Sequence, residues 1–269
     1  MQTPDALGII SGSGAYPLLV AQSARRSGVA KIVAAAFSNE TDPALAQHVD
    51  SIEWLRVGQL GKLLNFFKSA GVSHAMMAGQ IAPKNLFDLR PDVKTLLLLA
   101  RLKRRNAATI FSAIADELGG IGVDLLPATS FLDDALAHRG LIAGRALSRR
   151  EEADVHYGVD VAKEVSRLDI GQTVVVKDGT VVAVEAFEGT NEAIKRGGSL
   201  ARRGAVIVKV AKPNQDMRFD VPVIGPETIN ISASANVRVL AVEAGRTLLL
   251  EKDALIGAAA ASGVSVVGV

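Results

Sequence analysis

Through its first 125 residues the chain repeats one pattern: a short, wholly apolar run, a turn, then a longer segment of helical periodicity. Leu7–Ile10, Lys31–Phe37, His74–Ala78 and Val123–Leu125 are predicted strands. Between them Leu18–Ser27, Gly58–Ala70, Asp92–Lys103 and Ala107–Leu118 are predicted helices. Pro17 is well placed to open the first helix, and Leu60, Leu63, Leu64 and Phe67 fall on one face of the second. Strands that are apolar throughout are buried on both faces, and the order βαβα makes the sheet parallel and doubly wound. With 4% aromatics, such a core is built from Ala, Val, Leu and Ile. The expectation is α/β: an N-terminal Rossmann-like domain with a parallel sheet, joined to a mixed α+β C-terminal domain.

Asp133–Glu152 interrupts the pattern, which sets the domains at 1–133 (Rossmann-like), 134–150 (linker) and 151–269 (catalytic α+β). Ser148 is placed to cap a helix over Glu151–Leu168. Gln172–Lys177 and Val181–Phe187 form a hairpin through Asp178-Gly179. Beyond it are a strand at Ala205–Val210, a loop at Lys212–Asp216 and an extended segment, Arg218–Val223, bounded by Pro213 and Pro222. A helix over Pro226–Asn236, strands at Val239–Val242 and Thr247–Leu250 about a turn at Glu243–Arg246, a helix at Leu255–Ser262 and a strand at Val264–Val269 complete the chain.

Composition removes several function classes. The net charge is +2, and the basic clusters Arg101–Arg105, Arg149–Arg150 and Arg202–Arg203 are not interleaved with aromatics, so a nucleic-acid partner is not expected. Without cysteine there is no disulfide, thiolate nucleophile or Cys-based zinc or iron–sulfur site, and none of the four His forms a His-x-x-x-His pair. The sequence also has no P-loop. No secretory signal pattern and no apolar run long enough to span a bilayer is seen, which points to a cytoplasmic location.

Three segments could carry chemistry. Gly12-Ser13-Gly14 lies between a strand and a helix, where backbone N–H groups favour an anion; the alternative is a plain tight turn. It lacks the full dinucleotide fingerprint, and no acid stands at the end of the second strand for a ribose, so nicotinamide binding is disfavoured. Lys209–Asp220 is the densest polar stretch. If extended, it puts Arg218 and Asp220 on one face, beside Lys212, Gln215 and Asp216. Cations beside carboxylates suit phosphates clamped by Lys and Arg around an oxygen-ligated metal, or else are solvated ion pairs on an edge hairpin. Glu188-Gly-Thr-Asn191 follows an apolar strand and suits either a metal or phosphate contact or an ordinary helix cap. The helix Val93–Arg105 pairs leucines with cations and could rest on an anionic bilayer, although a core helix explains it better. Residue pattern alone leaves open an enzyme or a non-catalytic nucleotide- or lipid-binding module.

Several motifs occur in a fixed order: Leu7-Gly-Ile-Ile-Ser-Gly-Ser-Gly-Ala-Tyr-Pro17, Ala78-Gly79-Gln80 with Pro83, Arg167-Leu-Asp-Ile-Gly-Gln172, Ala183–Thr190, Lys212-Pro-Asn-Gln-Asp-Met-Arg-Phe-Asp-Val-Pro222, Ile224-Gly225 and Glu243-Ala-Gly-Arg246. As an ordered set covering nearly the whole chain, they resemble the LpxI-type UDP-2,3-diacylglucosamine pyrophosphatases of lipid A biosynthesis. The resemblance implies hydrolysis of UDP-2,3-diacylglucosamine to UMP and 2,3-diacylglucosamine 1-phosphate, dependent on Mg²⁺ or Mn²⁺. It further implies a homodimer in peripheral contact with the inner membrane. By residue, it implies catalytic roles for Asp220, Lys212 and Arg218 and substrate contacts from Gly12, Ser13, Gly14, Gly79, Gln80, Thr190 and Gln215. Asp220 and Glu188 are the implied metal ligands.

Overall fold

A computed structural model describes residues 3–81, 91–103, 107–213 and 215–269. Pro83, Arg104, Arg105 and Asn214, on which expectations fell, lie outside the described residues. The chain divides into two compact units. The first holds Met1–Leu132 together with Asp216–Asp220; the second holds Asp133–Gln215 and Val221–Val269. The five-residue excursion is absent from the linear division of the sequence.

In the first unit, strands β1 (Ala6–Ser11), β2 (Lys31–Phe37), β3 (Ser51–Leu55), β4 (His74–Ala78) and β5 (Asp124–Leu125) form a five-stranded sheet in the order β3-β2-β1-β4-β5. All pairings are parallel. Helices α1 (Tyr16–Arg26), α2 (Leu60–Ala70), α3 (Val93–Arg101) and α4 (Ala107–Gly119) accompany it. The central strand β1 is buried along its whole length, as its unbroken apolar run requires. Leu60, Leu63, Leu64 and Phe67 of α2 pack into one cluster with Val33, Ala35 and Met77. Strand β3 escaped the sequence pattern because Ser-Ile-Glu-Trp-Leu is an edge strand paired only with β2, and most of it faces solvent. The chain runs outward from β1 to β2 and β3, then returns to lay β4 on the other side of β1. The sheet therefore has its topological switch point at the carboxyl ends of β1 and β4.

In the second unit, β6 (Gly140–Ala143), β7 (Thr173–Lys177), β8 (Thr180–Val184), β9 (Ala205–Lys209), β11 (Val237–Val242) and β13 (Ser265–Gly268) form a six-stranded mixed sheet in the order β6-β13-β11-β9-β7-β8. Strands β9, β11 and β13 run parallel, while β6, β7 and β8 pair antiparallel to their neighbours. Strand β6 falls inside the span expected to be linker: four residues with little period of their own become a strand because β13, over 100 residues on, offers an edge. Helix α5 (Arg149–Arg167) begins with a complete capping box, Ser148 with Glu151. The β7–β8 hairpin turns through Asp178 (φ 50°) and Gly179 (φ 75°) as the sequence predicts. Asp154 of α5 accepts both turn N–H groups, at 3.0 and 2.7 Å. Helix α6 (Thr190–Ala201) follows β8, and α7 (Pro226–Ser234) and α8 (Lys252–Ser262) complete the unit. Strands β10 (Val223–Ile224) and β12 (Leu248–Leu249) make a separate parallel pair. The turn at Glu243–Arg246 is thus no hairpin: β12 leaves β11 to pair with β10.

Candidate functional site

In the first unit the loops after β1 and β4 meet at the switch point. Ser13 N–H donates to Gln80 O at 2.7 Å and Gln80 N–H to Ser13 O at 3.2 Å; Gly12 N–H donates to Ala78 O at 2.8 Å. Ser13 Oγ also donates to Gln80 O, at 2.9 Å. A Cβ on Gly12 would overlap the Gln80 backbone, and one on Gly79 (φ +91°) would stand 2.6 Å from Ser13 O. These glycines exist for backbone contact. The structure brings Gly12, Ser13, Gly14, Gly79 and Gln80 together, but it commits the Ser13 amide to Gln80 instead of leaving it for an anion. Gly14 (φ +87°) has open space beside it.

Arg218–Val223, expected to be extended, instead begins in a turn. Phe219 N–H and Asp220 N–H both bond to Asp216 O, at 3.2 and 3.0 Å, which closes a turn. The cause is Phe219, whose ring packs 5.6 Å from Phe111 against the core of the first unit, while Met217 O accepts from Ala128 N–H at 2.7 Å. Arg218 accordingly pairs with Asp216: Nε donates to Oδ1 at 3.0 Å and Nη2 to Oδ2 at 2.7 Å. That pairing holds the Asp216 carboxyl below its usual range and raises Arg218 further. Asp220's carboxylate makes no hydrogen bond or ion pair among the described residues.

In the second unit the motif residues gather where β7 begins and β8, β9 and β11 end. Lys212 Nζ meets Asp169 Oδ1 at 2.5 Å. Its backbone N–H donates to Gln215 Oε1 at 2.7 Å, and Gln215 Nε2 is buried without a hydrogen-bond partner among the described residues. Glu188 Oε1 receives Arg196 Nη2 at 2.5 Å and Oε2 receives Ala186 N–H at 3.1 Å; Arg196 holds this carboxyl below its usual range. Thr190 Oγ1 donates to Glu185 Oε1 at 2.9 Å and accepts from Lys209 Nζ at 3.2 Å. Lys209 also donates to Val223 O at 3.2 Å, just beyond the Asp220 segment. Glu243 Oε2 accepts from Lys163 Nζ at 2.6 Å and Ala211 N–H at 2.7 Å, which fixes the chain entering Lys212.

Glu185, Lys209 and Lys163 were not singled out from sequence. The first two had a signal: a charged residue inside or ending an otherwise apolar strand is buried only at a cost that a partner must offset. Both are buried, at 8% and 7% exposed.

Among the described residues no group of three or more His, Asp or Glu side chains could hold a cation alone. A hard cation such as Mg²⁺ takes one or two protein carboxylates and completes its shell with water and phosphate oxygens. An uncommitted carboxylate, as Asp220 is, suits that chemistry. Glu188 is paired with Arg196 in this arrangement.

Comparison with known proteins agrees with the motifs. Residues 6–135 match the LpxI N-terminal domain and residues 138–267 the LpxI C-terminal domain. The UDP-2,3-diacylglucosamine pyrophosphatase LpxI of Caulobacter vibrioides is 32% identical over 274 aligned positions, covering 98% of this chain and 97% of that protein. Among solved structures, the biotin carboxylase domain of Hydrogenobacter thermophilus 2-oxoglutarate carboxylase gives a TM-score of 0.30 at 10% identity, over 67% of this chain and 36% of that one, a likeness too low to carry an argument. With both domains matched in order and a relative aligned from end to end, the chain belongs to the LpxI family.

Proposed function

We propose that the protein is a hydrolase of lipid A biosynthesis that cleaves the pyrophosphate of UDP-2,3-diacylglucosamine, releasing UMP and 2,3-diacylglucosamine 1-phosphate with Mg²⁺ or Mn²⁺. The observation that carries this is the full-length match to a pyrophosphatase of that name, joined to Asp220, a carboxylate of the central motif without a hydrogen bond or ion pair among the described residues. Asp220 would hold the cation, which when bound neutralises phosphate charge and acidifies a coordinated water. One Asp220 carboxylate oxygen would hold the cation and the other would accept the proton that the attacking water gives up. Lys212 leaves an exposed aspartate, a pairing worth little in water, and binds phosphate oxygens through Nζ. Arg218 is held by Asp216 through Nε and Nη2, and its guanidinium would offset developing charge on phosphate. The buried Gln215 Nε2 supplies a neutral donor.

The same proposal includes a homodimer in peripheral contact with the cytoplasmic face of the inner membrane, where the lipid resides. No helix among the described residues is long and apolar enough to cross a membrane.

The test is UMP release by purified protein with Mg²⁺ and with EDTA, beside Asp220→Ala. Release should stop with EDTA and fall on the order of 10²–10³-fold in the variant, with substrate binding retained. Turnover near wild type in the variant would remove Asp220 from the chemistry. Binding without any release by the wild type would turn the assignment toward a non-catalytic binding module.

A further inference from the structure

Helix α5 ends in a tight backbone cap. Asp169 N–H donates to Ser166 O at 3.1 Å and Ile170 N–H to Val165 O at 3.3 Å, the paired bonds that close a helix on a left-handed residue. That residue is Asp169, at φ 57°. Helices α2 and α8 also end on a left-handed residue, and there it is Gly71 (φ 70°) and Gly263 (φ 69°). Glycine takes this conformation at no steric cost, and a residue with a side chain does not. The carboxylate adds a second cost. It stands just past the last turn of a 19-residue helix, where the free backbone carbonyls disfavour negative charge.

Local structure offsets neither cost. An aspartate is tolerated in the left-handed region when its carboxylate bonds to nearby backbone, but this one accepts from no backbone N–H among the described residues. Arg167, the cation in the last turn, pairs with Glu164. The group that the Asp169 carboxylate does hold is Lys212 Nζ, 43 residues along the chain, at 2.5 Å. The lysine side chain is 34% exposed and the aspartate 72%, so water screens the pair and a stronger anion displaces it. Phosphate, with more charge and more acceptor oxygens, is such an anion.

We propose that Asp169 is a resident counter-ion for Lys212: it occupies the ammonium in the empty site, yields it to a phosphate oxygen of the ligand, and thereby sets how tightly the site holds phosphate. Asp169 acts only through Lys212, and the inference rests on the phosphate-binding role proposed for that lysine above.

The experiment titrates inorganic phosphate by calorimetry into the wild type, Asp169→Asn, Lys212→Met and the double variant, and measures the Tm of each. Asparagine keeps the shape, tolerates the left-handed backbone and sheds the charge, so Asp169→Asn should melt at or above the wild type. It should bind phosphate about two- to fivefold more tightly, the worth of an exposed ion pair. In the Lys212→Met background the same change should leave phosphate affinity where it was. With UDP-2,3-diacylglucosamine, KM should fall by the same factor and kcat should not rise. Phosphate binding that is unchanged, weaker or undetectable in Asp169→Asn overturns the inference, as does a tightening that persists without Lys212. A Tm well below wild type also overturns it, because the carboxylate would then serve the fold. If Lys212→Met binds phosphate as tightly as the wild type, the role of Lys212 falls and this inference with it. Tightening through Lys212 in a protein that hydrolyses no UDP-2,3-diacylglucosamine overturns the proposed reaction and upholds the counter-ion.

Discussion

Thr190 shows what can and cannot be read at a single residue. Its place after Glu188-Gly189 marked it as a contact residue, yet its hydroxyl is spent inside the protein. It has one proton, given to Glu185, and a lone pair that accepts from Lys209, so it touches two buried charged groups at once. Such a hydroxyl is hard to replace, because losing it strips a partner from a buried carboxylate and from a buried ammonium together. Thr190→Val, which keeps the shape, should cost about 2–3 kcal/mol, whereas Thr190→Ser should restore most of the loss. Denaturant midpoints of the two variants check this, and a Val variant as stable as wild type would show that the network is not a stabilising one. The motif around Asp220 was legible as a place but not in its pairings. An extended segment would put Arg218 and Asp220 on one face; Arg218 pairs with Asp216 instead because Phe219, an apolar residue among polar ones, pulls the segment into a turn. Spacing two apart says nothing about that when the backbone is not extended.

Among elements, those whose signal is local were legible. The apolar stripe of α2, the capping box of α5 and the Asp178-Gly179 turn each lie within a few residues of sequence, and all three form. Strands β3 and β6 were not, because each is short and owes its existence to an edge supplied by another segment; β12 falls within the strand read at Thr247–Leu250, but its pairing with β10 was not legible. The loops after β1 and β4 are intermediate: their glycines were visible, their mutual contact was not. Gly12 is not required for an unusual φ but for the room that Gln80 occupies, so the cost of filling it is steric. Gly12→Ala must displace backbone on one side of the switch point. It should destabilise by about 2 kcal/mol, or roughly 4–8 °C in Tm. It should also lower kcat/KM if the loops contact substrate. Unchanged Tm in Gly12→Ala, read by calorimetry, would mean that the two loops are free to separate.

For the whole molecule the balance of charge predicts how it meets acid. Near neutrality the formal charge is only +2, with 28 acidic residues against 30 Lys and Arg, so protonating carboxylates turns the chain strongly cationic and self-repelling. On top of that general effect lie specific pairs. Arg145 holds Glu151 down to about 2 from 4.5, aided by the Ser148 N–H and hydroxyl, and Asp216 and Glu188 are lowered by Arg218 and Arg196. A carboxyl whose folded pKa lies below its unfolded one stabilises the fold above the unfolded value, and that stability is lost as pH falls toward the folded value. For Glu151, 13% exposed at its side chain, the window runs from 4.5 down to about 2. Its contribution at neutrality is about 1–2 kcal/mol after allowance for screening around its half-exposed partner. Glu151→Gln, neutral at every pH, should therefore melt below wild type at pH 7, and the gap should shrink by roughly half on reaching pH 3. General repulsion acts on both proteins alike and leaves the gap alone, and added salt weakens it. Melting curves of wild type and Glu151→Gln from pH 7 to pH 3, at two salt concentrations, separate the contributions. A gap that stays constant down to pH 3 would mean that the glutamine loses a hydrogen-bond shape in the capping box and that the Arg145 ion pair adds nothing measurable to the fold.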